Sequence, residues 1–65
     1  MIPLTNIEIE YILLRCEGLT NEEAARRMFR SPRTLDGYRD DILTKTGCRS
    51  MIQAVALLFR QGVIK

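Results

Sequence analysis

At 65 residues the chain makes one small domain at most, and a domain of that size needs efficient helix packing, a partner subunit or a larger parent to be stable. Its 46% hydrophobic content excludes a disordered chain, and a net charge of +2 permits a nucleic-acid partner without arguing strongly for one. There is no histidine, no apolar run long enough to span a bilayer and nothing at the N-terminus that reads as a signal peptide, so the chain is expected to be cytoplasmic, without a membrane partner and without cofactors.

The first helix is expected over about residues 6–17. Thr5 stands at its head with Glu8 three residues on, the spacing of a capping box, and Gly18 follows its end. The second, over about residues 21–28, repeats the signature with Thr20 and Glu23. The third, over about residues 32–46, opens at Ser31 with Pro32 in the first helical position and closes at Gly47. The fourth, over about residues 51–61, has Ser50 as its cap, Gln53 at the box position and Gly62 beyond its end. Four cap signals, each heading an apolar-periodic segment with no strand between them, make the fold all-α with four helices.

The apolar faces follow from steps of about 100°. Ala24, Ala25 and Met28 of the second helix face inward, as do Leu35, Tyr38, Ile42 and Thr46 of the third, while Arg33, Asp36, Gly37, Asp40 and Thr44 share the opposite face of the third. Small Ala25 suits a close crossing of two helices, and the step from Ala25 to Leu35 fits a helix-turn-helix hinge. The outer helices carry more apolar surface than one face can use. The first has a stripe of Ile9, Ile12, Leu13 and Cys16 and another of Ile7, Tyr11 and Leu14. The fourth has Met51, Ala54, Val55 and Leu58, then Ile52, Ala56 and Phe59, with Leu57 off both. Surplus apolar faces in so small a domain are either scattered surface residues or a partner contact. Cys16 and Cys48 form no CxxC unit; two buried reduced thiols are expected, with a single disulfide as the alternative.

The segment LTNEEAARRMFRSPRTLDGYRDDILTKT, from Leu19 to Thr46, thus reads as a short helix, a tight turn and a longer helix, an arrangement that can place a rod of side chains in the major groove of DNA. From Leu4 to Ile64 the chain resembles the LuxR-type helix-turn-helix domain, the DNA-binding output domain of response regulators of the NarL/FixJ group. The resemblance is carried by Leu4-Thr5 and Glu8, Glu17-Gly18-Leu19-Thr20-Asn21, Glu23, Ala25, Ser31, Arg33-Thr34, Ile42, Lys45, Gly47 and Gln53-Ala54-Val55 in their expected order. It implies that residues 1–65 are a single DNA-binding domain, the C-terminal output part of a longer response regulator in a two-component system. The third helix would enter the groove, the fourth would pair two copies into a homodimer, and a receiver domain in the parent chain would control access. Met1 is expected to be the cut end of a longer chain, with a natural start as the alternative, because the apolar first helix suggests a missing neighbour.

The same resemblance maps the base-facing positions onto Asp36, Gly37 and Asp40, and the phosphate-facing positions more loosely onto Arg33, Thr34, Tyr38, Arg39 and Lys45. Thr20 and Asn21, at the head of the second helix, are further phosphate candidates through the free N–H groups there, or simply a cap. Ile52, Ala56 and Phe59 are the expected dimer face. The family often carries Lys where Asp36 stands and His where Tyr38 stands. Here three basic residues of the third helix meet three acidic ones, Asp36, Asp40 and Asp41. Carboxylates facing a polyanion lower affinity, although one in the groove can accept from the cytosine amino group. The favoured reading of these acids is a solvated face paired within the helix, Arg33 with Asp36 and Asp41 with Lys45, with base contact by Asp36 or Asp40 as the alternative. Arg26, Arg27 and Arg30 read mainly as a solvated basic end. Gly37 weakens its helix by roughly 1 kcal/mol relative to alanine.

Two functions follow from these residues. The first is sequence-specific DNA binding in transcriptional regulation, and the alternative is a protein-interaction module using the apolar first and fourth helices, with weak or lost DNA binding. A sigma-factor-like DNA-reading domain shares the motif but not the flanking register. No enzymatic activity is expected: there is no Gly-rich phosphate loop and no paired carboxylate set, and Ser31 and Ser50 are explained as caps.

Overall fold

A hydroxyl side chain sets the start of every helix. In the computed structural model, which describes residues 3–64, these are α1 (Asn6–Cys16), α2 (Asn21–Met28), α3 (Pro32–Thr46) and α4 (Met51–Arg60), with no strand among the described residues. Thr5, Thr20, Ser31 and Ser50 all hold extended backbone and accept from the N–H three residues on. The first two are complete capping boxes, with Glu8 and Glu23 reaching back to the cap N–H. The expected third box, at Ser50, is shifted: Gln53 accepts from the Arg49 N–H at 3.0 Å, one residue too early to close on the cap itself. The first and fourth helices each end one residue sooner than expected, with Glu17 and Gln61 as their C-caps. Met1, read above as a cut end, lies outside the described residues.

One contiguous core holds the four helices together. Tyr11 and Ile12 of α1, Ala24, Ala25 and Met28 of α2, Leu35 and Ile42 of α3, and Ala54 and Leu58 of α4 are all buried. Tyr38 and Thr46 are half-buried at its edge, as the periodicity of α3 predicts. The chain then turns at Gly62, whose φ of 73° a side chain would strain, and the Val63 N–H bonds back to the Leu58 carbonyl. That turn returns Ile64 to the core, where it is buried.

The surplus apolar surface resolves differently on the two outer helices. Of the α1 stripe Ile9–Ile12–Leu13–Cys16, only Ile12 is fully covered, and Leu13 and Cys16 are exposed. Both cysteines are free thiols, Cys16 exposed and Cys48 half-buried, so the expectation of two buried thiols is corrected. On α4, Ile52 is 84% and Phe59 54% exposed, with Ala56 open between them.

One buried residue runs against the hydrophobic pattern. Glu8 is 3% exposed and carries a charge. Its Oε1 accepts from the Thr5 N–H and from Lys45 Nζ at 2.7 Å, across 37 residues of sequence. Burial alone would raise the Glu8 pKa; the Lys45 ammonium and the Thr5 cap outweigh it and hold the carboxyl below its ordinary value.

Candidate nucleic-acid interface

Helix α3 is gripped on one side only. Leu35 and Ile42, two turns apart, are fully buried, and Tyr38 between them is half-buried. Everything on the opposite flank faces solvent: Arg33, Thr34, Asp36, Gly37, Arg39 and Asp40 are exposed, and Asp41 and Thr44 continue that face. The rod therefore stands out from the fold along its first three turns, where a helix inserted in a major groove presents its side chains.

The turn before it is tight for a definite reason. Phe29 closes α2 in the left-handed region at φ 56°, and the Arg30 N–H bonds back to the Ala25 carbonyl at 2.9 Å. Such a position usually takes glycine. The phenyl ring has no burial to compensate it, being 94% exposed. Ser31 then caps α3, and its hydroxyl lies 3.0 Å from that of Thr34.

The charged residues of α3 are not paired as expected. Neither Arg33–Asp36 nor Asp41–Lys45 forms an ion pair; the two pairs among the described residues are Arg39–Asp40, solvated and loose at 3.6 Å, and Lys45–Glu8. Lys45, expected to face a phosphate, is exposed as a residue, with its Nζ 2.7 Å from the buried Glu8 carboxylate.

Asn21 is the first residue of α2, behind its expected cap Thr20, and its amide ties three helices together. The Tyr11 hydroxyl donates to its Oδ1 at 3.0 Å, while its Nδ2 donates to Asp36 Oδ1 at 2.9 Å and to the Pro32 carbonyl at 3.2 Å. Tyr11 in turn stacks edge-on against Tyr38, with ring centroids 6.3 Å apart. The Tyr11 pKa is raised, chiefly by burial, so the phenol keeps its proton and acts as donor. Thr20 is engaged with Glu23, whose carboxyl the cap N–H and hydroxyl hold below its ordinary pKa, leaving a negative charge at the mouth of α2. That charge opposes an anion there.

Sequence patterning had no means of finding Glu8–Lys45 or Tyr11–Asn21–Asp36, since both join residues from different helices. No group of metal-ligating side chains occurs among the described residues, and no helix among them is long and apolar enough to cross a membrane.

Comparison with known proteins decides what this architecture is. The family model described as bacterial regulatory proteins of the luxR family matches residues 2–58. The chain belongs to the LuxR family. HTH-type transcriptional regulators of Mycobacterium bovis and Mycobacterium tuberculosis are 37% identical over 59 residues, 91% of this chain but 7% of their own length. The uncharacterized transcriptional regulatory protein YxjL of Bacillus subtilis is 32% identical over 63 residues, 97% of this chain and 29% of its own. The chain thus spans a small part of each relative's length. Membership makes it a helix-turn-helix domain of a family that binds DNA and regulates transcription, not one of a family of enzymes.

Proposed function

We propose that this domain reads DNA sequence with α3 in the major groove and works as a homodimer joined through α4, in a longer regulator whose receiver domain controls access to the groove-facing flank. The observation that carries groove insertion is the open flank from Arg33 to Asp40 above the buried pair Leu35 and Ile42. Asp36, Gly37 and Asp40 face the bases, while Arg33, Thr34 and Arg39 approach phosphates, with the Tyr38 hydroxyl at the edge. Lys45 joins them only by leaving Glu8, Thr20 caps α2, and Asn21 bonds Asp36 across the turn.

Dimerisation rests on Ile52, Ala56 and Phe59, which follow one another at helical spacing on the open side of α4. A two-fold pair joined there reads two half-sites related by the same symmetry. A receiver domain is what the family resemblance implies: YxjL leaves room for about one further domain beyond the match, whereas the mycobacterial relatives, matched over 7% of their length, leave room for several.

The test is a titration of labelled duplex followed by fluorescence anisotropy across salt. Groove binding predicts affinity that falls linearly on a double-logarithmic plot, with a slope of roughly −0.9 for each phosphate contacted. A signal that ignores salt, or none at low salt, would favour protein docking on the apolar faces of α1 and α4.

A further inference from the structure

Asp36 is not a free carboxylate on a solvated helix. Its Oδ1 accepts from Asn21 Nδ2 at 2.9 Å, and Asn21 has no freedom to turn its amide round. Two acceptors, the Asp36 carboxylate and the Pro32 carbonyl, face one end of that amide; the Tyr11 hydroxyl faces the other. Only one orientation satisfies all three: the oxygen toward Tyr11 and the nitrogen toward Asp36. Tyr11 itself is fully buried, with its ring set edge-on to Tyr38, so the relay is anchored in the core. Each link fixes the next, and the chain of hydrogen bonds ends on the exposed first turns of α3.

From this geometry we infer that Tyr11 and Asn21 are positioning residues for sequence reading, holding Asp36 so that its second oxygen accepts from the 4-amino group of a cytosine in each half-site.

The inference rests on α3 entering the major groove, as proposed above. Asn21 occupies Oδ1, and Oδ2 has no partner among the described residues. A carboxylate can only accept, so its partner in the groove is a base amino group. Cytosine offers that donor beside a C–H, whereas adenine offers it beside the N7 acceptor, whose lone pair repels a carboxylate. Guanine and thymine present acceptors at the same height and are rejected outright. The Asn21 hydrogen bond also fixes the Asp36 rotamer before docking, which lowers the ordering cost of binding. A mobile aspartate could swing away from a wrong base; a fixed one cannot. The acidic departure from the basic residue often found at this position thus becomes a filter, not a defect.

The experiment selects duplexes from a randomised pool with the full 65-residue chain at low salt, then titrates the preferred duplex and its single-position variants. The unsubstituted protein is expected to favour cytosine at one position of each half-site by about tenfold over the other three bases. Asp36→Ala removes the preference. Tyr11→Phe removes one of the three hydrogen bonds that hold the Asn21 amide and cuts the preference to about threefold, and Asn21→Ala, which removes the bond to Asp36 itself, cuts it further. The readout is the ratio of two affinities on one protein. A variant that merely loses stability lowers both affinities alike and leaves the ratio unmoved, so folding and positioning separate. A full tenfold preference retained in Tyr11→Phe and Asn21→Ala would overturn the positioning role. A preference unchanged in Asp36→Ala, or one for adenine, would overturn cytosine reading while leaving DNA binding intact. Absence of salt-dependent binding to every duplex would overturn groove insertion itself, and the inference with it.

Discussion

The pair of buried Glu8 and exposed Lys45 gives the sharpest test of what holds the domain together, because its two halves are unequal. Lys45→Met leaves a carboxylate that is 3% exposed and has lost its 2.7 Å cation. Removing one partner of a fully buried pair costs about 3–5 kcal/mol. Glu8 keeps the Thr5 N–H at 2.9 Å, so the expected loss is smaller, about 2–3 kcal/mol. Glu8→Gln should cost only about 1 kcal/mol: the amide oxygen still accepts from Thr5, and the Lys45 side chain, already 29% exposed, extends into water. For a domain of this length each kcal/mol moves the melting midpoint by roughly 4–8 °C. Circular dichroism should then show Tm falling by about 10–20 °C in Lys45→Met and about 5 °C in Glu8→Gln. The double variant should melt close to Glu8→Gln alone, because the orphaned charge is gone. The pair also sets a pH dependence. The folded Glu8 pKa lies below its ordinary 4.5, so the pair's contribution is complete above about pH 4.5 and is lost as pH falls through the lowered value. The gap between the unsubstituted protein and Lys45→Met should therefore be widest at neutral pH and close in acid. A Lys45→Met variant no less stable than Glu8→Gln, or a double variant that is simply additive, would refute the claim that a buried charge governs this contact.

Gly37→Ala should split stability from binding. A Cβ there meets nothing within 4 Å inside the domain, so the melting midpoint should rise by the equivalent of about 0.5–1 kcal/mol, while duplex affinity falls if the position faces base edges. Phe29→Gly should also stabilise, by about 0.5–1 kcal/mol in urea melts, since it relieves a left-handed backbone at the loss of a ring already 94% exposed. Phe59→Glu should leave the melting curve of the dilute monomer within about 0.5 kcal/mol. In sedimentation it should abolish self-association, and in titrations the dependence on half-site spacing should vanish.

The all-α fold was legible because its determinants are local. A hydroxyl and an acid three residues apart announce a helix start within one turn, and Ala24, Ala25, Met28, Leu35 and Ile42 declare their burial by spacing alone. The open flank of α3 follows from the same periodicity. What stayed hidden was every contact between polar groups on different helices. Periodicity assigns Glu8 to solvent, yet Lys45 makes its burial tolerable from 37 positions away. Asn21 looks like part of a cap until Tyr11 and Asp36 are seen at either end of its amide. Phe29 was missed for another reason: a turn of this kind announces itself by glycine, and here glycine is absent. The two cysteines were placed too deep, because free cysteine is usually buried while nothing about Cys16 in the sequence shows that α4 stops short of covering it.

The electrostatics of α3 determine where affinity must come from. With Lys45 withdrawn to Glu8 and Arg39 loosely matched by Asp40, Arg33 is the cation on that helix left without an ion-pair partner among the described residues. The α3 candidates of the proposed interface, Arg33, Thr34 and Arg39, are fewer than the six to ten phosphate contacts with which a DNA-binding protein becomes both tight and steeply salt-dependent. On the proposed reading a single copy binds weakly, and its carboxylates favour selection over attraction. In the proposed homodimer, two copies joined through Ile52, Ala56 and Phe59 would bind the second half-site as an intramolecular event, and effective concentration would then multiply affinity by orders of magnitude without one added charge. Weak heads joined by a contact that can be made or withheld respond more steeply to that contact than strong heads would, because neither half-site is held for long by one head alone. On the proposed reading the acidic α3 face and the apolar α4 complement each other: the first would make the monomer discriminating and feeble, and the second would make pairing decisive.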